Sequence, residues 1–156
     1  MEGANRNVIA AFLALEGAHE ARSAPETAEK AILEALALAP DDVEVRLGAY
    51  RFYFYNHYLA EALPHSEFII AYAARRLNIA VDWRAVRPDD TLFEDLEAVP
   101  GLYLQALIAW GYCKVRLGAQ EEGCMALSKV VALDPRDRFG AGLILATVTK
   151  EADEGT

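Results

Sequence analysis

The sequence predicts an all-α chain in which one helix pair is written three times, and three observations carry that expectation. Alanine and leucine abound, β-branched runs are short, and apolar residues recur at spacings of three and four, as in Val8, Phe12 and Leu15 or Ile32 and Leu36. Two distant stretches end in nearly the same phrase, LALAPDD around Pro40 and VALDPRD around Pro135, which is the mark of an internal repeat. With 156 residues, 54% of them hydrophobic, the chain has enough apolar surface for one compact domain and is not a disordered sequence.

The first unit spans about residues 9–42. Val8, Phe12, Leu15 and His19 form the apolar stripe of its leading helix. Ser23-Ala24-Pro25-Glu26 starts the second helix: serine caps, proline sits in the first turn, and Glu26 completes a capping box. That helix stops at Pro40, after which Asp41 or Asp42 caps the next one.

The second unit, residues 43–76, follows without a gap. It holds YRFYFYNHY from Tyr50 to Tyr58, six aromatic residues in nine positions. The alternation of Tyr50, Phe52 and Phe54 also fits a strand, but Gly48 and the helical surroundings favour a helix. On a helix these six rings point all the way round, so the element is buried on every side or keeps one side for a partner. Pro64 lies beyond the first turn of the following helix and is expected to bend it or delay its start to about Leu63.

Residues 77–103 form an insert with its own helix start, Thr91 with Glu94 three later, and an end at Pro100-Gly101. The third unit, residues 104–137, carries Trp110-Gly111, a turn at Gly118 and the closing LDP. An amphipathic stretch at 138–150 reads as a helix that caps the exposed end, and residues 151–156, EADEGT, as a disordered acidic tail.

These units resemble the tetratricopeptide repeat. Trp110-Gly111 falls where that family has Leu-Gly, Gly118 falls in its turn, and Tyr53 falls on its characteristic tyrosine. Glu61-Ala62-Leu63 matches its Glu-Ala-Ile, and Ala28 its small helix-contact position. Three departures stand out: Tyr50 where the first helix has glycine, His57 in place of the turn glycine, and Gly123 in place of alanine. The resemblance covers about two-thirds of the chain. It implies a right-handed α-solenoid of three helix pairs, with the insert between units two and three and a C-terminal capping helix.

The resemblance also implies a concave face. In the second unit Glu44, Leu47, Arg51, Phe54 and Tyr55 would line it, and in the third Gln105, Ile108, Tyr112 and Arg116. The first unit would add Ala10, Leu13, Gly17, Glu20 and Ala21. Aromatic and arginine side chains are the usual anchors of interfaces. The expected function is therefore that of a non-catalytic adaptor, binding a peptide or a partner's surface in this groove. Alternatively the insert folds back and fills the groove with Trp83 or Phe93. The positions that clamp acidic chaperone tails in some members of the family carry Leu13, Gly17, Gly48, Gln105 and Ala109 here, so that ligand is not implied. Arg51 and Arg116 still offer charge to an acidic peptide. YRFYFY followed by EALPH also resembles small repeat proteins of nitrogen-fixation gene neighbourhoods in proteobacteria, which implies an accessory role to a metalloenzyme. Two other readings are a self-associating structural protein, for instance a homodimer, and a small-molecule sensor with a closed groove.

Several classes are disfavoured by charge and spacing. A net charge of −9 argues against nucleic-acid binding, although Arg75, Arg76, Arg84 and Arg87 form a local basic cluster expected to be solvated or paired. No apolar run reaches the ~18–20 residues of a membrane helix, and no cluster of positive charge precedes the first apolar stretch as in a secretory signal. A cytoplasmic chain is expected, with Cys113 and Cys124 as free thiols. His19 with Glu16 and His65 with Glu61 have helical spacing but fall short of a metal set. Asp89, Asp90, Glu94, Asp95 and Glu97 suit helix capping and a solvated face. Neither a catalytic residue nor a cofactor is expected.

Overall fold

The computed structural model of the protein describes residues 24–95 and 98–154. Among these it contains six α-helices, one 3-10 turn and no strand. The leading helix of the first unit and the Ser23 cap lie outside the described residues. The chain divides into two compact units, Met1–His65 and Ser66–Thr156.

In the first of these, α1 (Pro25–Leu38) begins on Ala24, which makes no side-chain cap, with Pro25 in the first turn. Its stripe of Ala28, Ile32 and Ala35 is buried. The helix stops because the Ala39 amide takes the Ala35 carbonyl at 2.9 Å and Pro40 has no amide to continue with. Asp42 then caps α2 (Val43–Tyr55): its Oδ1 accepts from the Glu44 and Val45 amides at 3.0 and 3.1 Å, a contribution of about 1 kcal/mol. Ala35, Ala39 and Val45 form the core at this corner, with Leu36 and Leu38 packed against it.

The turn into α3 (Leu59–Leu77) closes with the Tyr58 amide on the Tyr53 carbonyl, 2.8 Å, and the His57 amide on that of Phe54, 3.1 Å. His57 takes the left-handed conformation, φ 62°, that a glycine adopts more readily. Pro64 does not delay α3, which starts at Leu59 and runs on through it. It deletes only the bond to the Ala60 carbonyl, and Ala60 and Pro64 are both exposed, so water replaces that bond.

The second compact unit is built on a hairpin of α4 (Ala98–Arg116) and α5 (Gln120–Leu133). Its turn repeats the one above: Ala119 donates to the Lys114 carbonyl at 2.8 Å and Gly118 to that of Val115 at 3.1 Å, with Gly118 at φ 101°. In the same way α5 repeats α1. Both have 14 residues, both start on an alanine without a side-chain cap, and both end one residue before a proline-led turn. The Asp134 amide on the Val130 carbonyl matches Ala39 on Ala35. The sequence repetition is thus a repetition of local geometry.

Between α4 and α5 the backbones meet at Gly111 and Gly123. A methyl group on Gly123 would stand 2.5 Å from the Gly111 carbonyl oxygen, 2.6 Å from Val115 Cγ2 and 2.8 Å from the Val115 nitrogen. That contact is the reason position 123 takes glycine.

The insert departs most from expectation. Thr91 and Glu94 start no helix. Instead Asp82 caps a 3-10 turn at Trp83–Ala85, its Oδ1 accepting the Arg84 amide at 3.0 Å. Phe93 is drawn into the core against Tyr103, ring centroids 6.0 Å apart, which holds residues 91–95 in tight turns. Pro100 and Gly101 lie inside the start of α4 rather than closing the insert; proline suits that position because the first helical amides have no partner anyway. Trp83 packs on Trp110 at 5.7 Å. Lys129 Nζ donates to the Arg84 and Val86 carbonyls at 3.3 and 2.7 Å, and the Arg138 guanidinium donates to those of Phe93 and Glu94.

The last element, α6 (Ala141–Glu154), packs on α5 and α4. It continues through Glu151-Ala152-Asp153-Glu154, the stretch whose composition suggests a tail. Two ion pairs hold this turn, Arg116–Glu151 at 2.6 Å and Lys150–Glu154 at 3.9 Å.

Candidate functional site

On α2, Glu44, Leu47, Arg51, Phe54 and Tyr55 fall on one face, since steps of three, four and seven return to the same side of a helix. Glu44, Arg51 and Tyr55 are exposed, Leu47 and Phe54 half-buried. Tyr55 is 73% exposed, and its ring lies edge to face with Phe54, 5.7 Å away. Among the described residues Arg51 has no ion pair. The rest of the aromatic cluster is divided between interior and rim. Tyr50 and Tyr53 are buried, whereas Phe52 is half-buried and stacks on exposed Tyr58 at 6.3 Å. The stretch is therefore core along one side and open apolar surface along the other.

His65 locks the buried side. Its ring lies parallel to Tyr53, 5.8 Å between centroids, and its Nδ1 is 3.3 Å from Arg46 Nη1. Arg46 Nε in turn donates to the Pro40 carbonyl, so one guanidinium ties α3 to α2 and to the turn before it. Burial first, and the Arg46 charge second, lower the His65 pKa to about 4. The folded value lies below the unfolded one, near 6.5, so the unfolded chain binds the extra proton between the two. Stability is expected to be intact above about pH 6.5 and to fall as the pH drops from there to about 4. Urea denaturation of wild type and His65→Gln at pH 7.5 and 4.5 checks this: the variant should lose part of the pH dependence, and parallel behaviour would remove His65 as its source.

The α4 set is not brought together as an open surface. Gln105 is exposed, but Ile108 is only 7% exposed and belongs to the core. Tyr112 is half-buried. Arg116 lies 5.2 Å over the Tyr112 ring and bonds Glu151 on α6. Of the basic cluster, Arg84 pairs with Glu122 at 3.0 Å and Asp82 at 3.4 Å and covers the Trp83 ring. Arg75 and Arg76 are exposed in the last turn of α3, where the helix dipole favours cations.

Some features carry little local signal in the sequence. Trp110 Nε1 donates to Glu67 Oε1 at 3.0 Å, a pair 43 residues apart. Asp134 is buried and accepts from both the amide and the side chain of Arg138, at 2.9 and 3.1 Å; only its spacing of four from Arg138 hints at this. Trp83, Arg84, Cys124, Met125, Ser128 and Lys129 border an open groove of about 560 Å³. Burial pushes the Cys113 thiol up to about 11, so it is protonated at neutral pH. Among the described residues no group of three His, Cys, Asp or Glu side chains is placed to hold a metal, and no helix is long and apolar enough to cross a membrane.

No family model matches the chain, and no solved structure matches it. The chain is similar to a protein of Azotobacter chroococcum mcd 1 described as an uncharacterized 19.8 kDa protein in the nifW 5′ region. The two are 38% identical over 130 residues, which cover 82% of this chain and 73% of the relative.

Proposed function

We propose, for a chain that belongs to the same family as this Azotobacter protein, a non-catalytic role in which the exposed face of α2 binds a partner protein or peptide. The observation that carries the proposal is the pairing of exposed Arg51 and Tyr55 on one helical face, with no carboxylate taken by Arg51 among the described residues. Arginine and tyrosine are enriched among the residues that supply most interface energy. The matching turns after α2 and α4 and the matching ends of α1 and α5 support a tetratricopeptide-like fold of helix pairs. Glu44, Leu47 and Phe54 complete the α2 surface.

The relative's name places it in the nifW 5′ region, and this favours an accessory role to a metalloenzyme as the setting in which the partner is bound. The test is affinity capture from the native host with wild type and an Arg51→Ala/Tyr55→Ala variant of unchanged helicity, with the captured proteins identified by mass spectrometry. A partner held by wild type and lost by the variant is expected. A partner held equally by both would move the interface off α2. Capture of the chain by itself alone, with concentration-dependent light scattering, would favour the self-associating reading.

A further inference from the structure

We infer that Arg116 and Tyr112 form a seat for a carboxylate side chain of an acidic partner segment, and that Glu151 of α6 fills this seat as an internal competitor. The inference rests on the peptide-binding reading above and adds to it a ligand chemistry and a means of control.

The seat is built from one turn of α4. Tyr112 and Arg116 are four residues apart and so stand on the same face. The guanidinium lies 5.2 Å over the phenol ring and also bonds the Tyr112 side chain, which holds the cation on this face of α4. The anion now present belongs to the same chain: Glu151 Oε2 is 2.6 Å from Arg116 Nη1. A planar cation held on a ring is suited to any side-chain carboxylate that reaches it, and nothing in the contact is particular to Glu151.

The competitor is also easy to remove. Arg116 and Glu151 keep 36% and 48% of their side-chain surface exposed, so water and salt screen the pair. The helix end that delivers Glu151 is at odds with its own dipole. Its final residues include Glu151, Asp153 and Glu154, and no basic residue stands in its last turn. Carboxylates at the negative end of a helix are unfavourable. The last turn of α6 is therefore held in place by its partners, Arg116 foremost, and an incoming acidic segment exchanges one carboxylate for another at the same cation.

The test uses the full chain and a fluorescein-labelled peptide with the sequence of residues 148–154, Val-Thr-Lys-Glu-Ala-Asp-Glu, followed by fluorescence anisotropy. Glu151→Gln should bind the peptide roughly three- to fivefold more tightly than wild type, because the internal competitor is weakened. Adding Arg116→Ala to that variant should abolish the gain, and Arg116→Lys should restore only part of it. A peptide with glutamine at its first glutamate position should bind less well, and salt should weaken the gain. Thermal melts of each variant show that the fold is retained. Equal affinity of wild type and Glu151→Gln, or no binding by either, would overturn the inference. That failure is separate from failure of the α2 reading, which depends on Arg51 and Tyr55 in the capture experiment.

Discussion

Gly123→Ala should destabilise the protein by about 3 kcal/mol, as a drop in the urea midpoint with an unchanged slope. The sign is informative. Helix propensity alone favours alanine over glycine in a helix interior by about 1 kcal/mol, so a substitution judged on α5 in isolation would stabilise. Packing reverses this. The added methyl would lie 2.5 Å from the Gly111 carbonyl and 2.6 Å from Val115 Cγ2, and the first of these is backbone that cannot rotate away. The hairpin has to open by a large part of an ångström, which also loosens Ala126 and Leu127, both buried in the same seam. Gly111→Ala meets its nearest neighbours at 3.0, 3.1 and 3.3 Å and should cost less, about 1–2 kcal/mol. A neutral or stabilising Gly123→Ala would mean that α4 and α5 are not in this contact.

A loss of similar size is expected for Asp134→Ala, about 3 kcal/mol, the lower end for breaking a buried ion pair. Asp134 is 2% exposed and gives both carboxylate oxygens to Arg138, one to its amide at 2.9 Å and one to its Nε at 3.1 Å. Held in this way, Arg138 spends its remaining donors on the Phe93 and Glu94 carbonyls. Removing the carboxylate strands a half-buried guanidinium and also releases the residues that keep Phe93 against Tyr103. A double-mutant cycle with Arg138→Ala separates the two effects. Coupling of about 2 kcal/mol or more is expected, because the second substitution removes the stranded charge left by the first. Losses within about 0.5 kcal/mol for Asp134→Ala would place the pair at an ordinary solvated surface.

What was legible in the sequence follows the range of the interaction. The stop at Pro40, the start at Pro25 and a cap at Asp41 or Asp42 are set by groups within four residues and were readable from local chemistry; the structure assigns the cap to Asp42. Helical angle alone sends the six rings of the aromatic cluster all the way round, and the structure buries Tyr50 and Tyr53 while leaving Tyr55 exposed. Thr91 and Glu94 misled because the same local pattern fits a cap or a turn, and burial of Phe93 decided between them. Pro64 does not set the start of α3 because the cost of its missing bond depends on whether water reaches the Ala60 carbonyl. The acidic end of α6 looked like a tail because the cation that orders it, Arg116, is 35 residues away. Ile108 was placed on a surface by repeat register, which does not report how many elements cover one level of a helix.

The most direct test of the α2 surface is calorimetric titration of the captured partner with wild type and with Arg51→Ala/Tyr55→Ala. Loss of the exposed arginine and tyrosine should weaken binding at least about tenfold, the equivalent of about 1.4 kcal/mol, with no change in melting temperature. Equal affinity for the two proteins would contradict the proposal and leave α2 as scaffold.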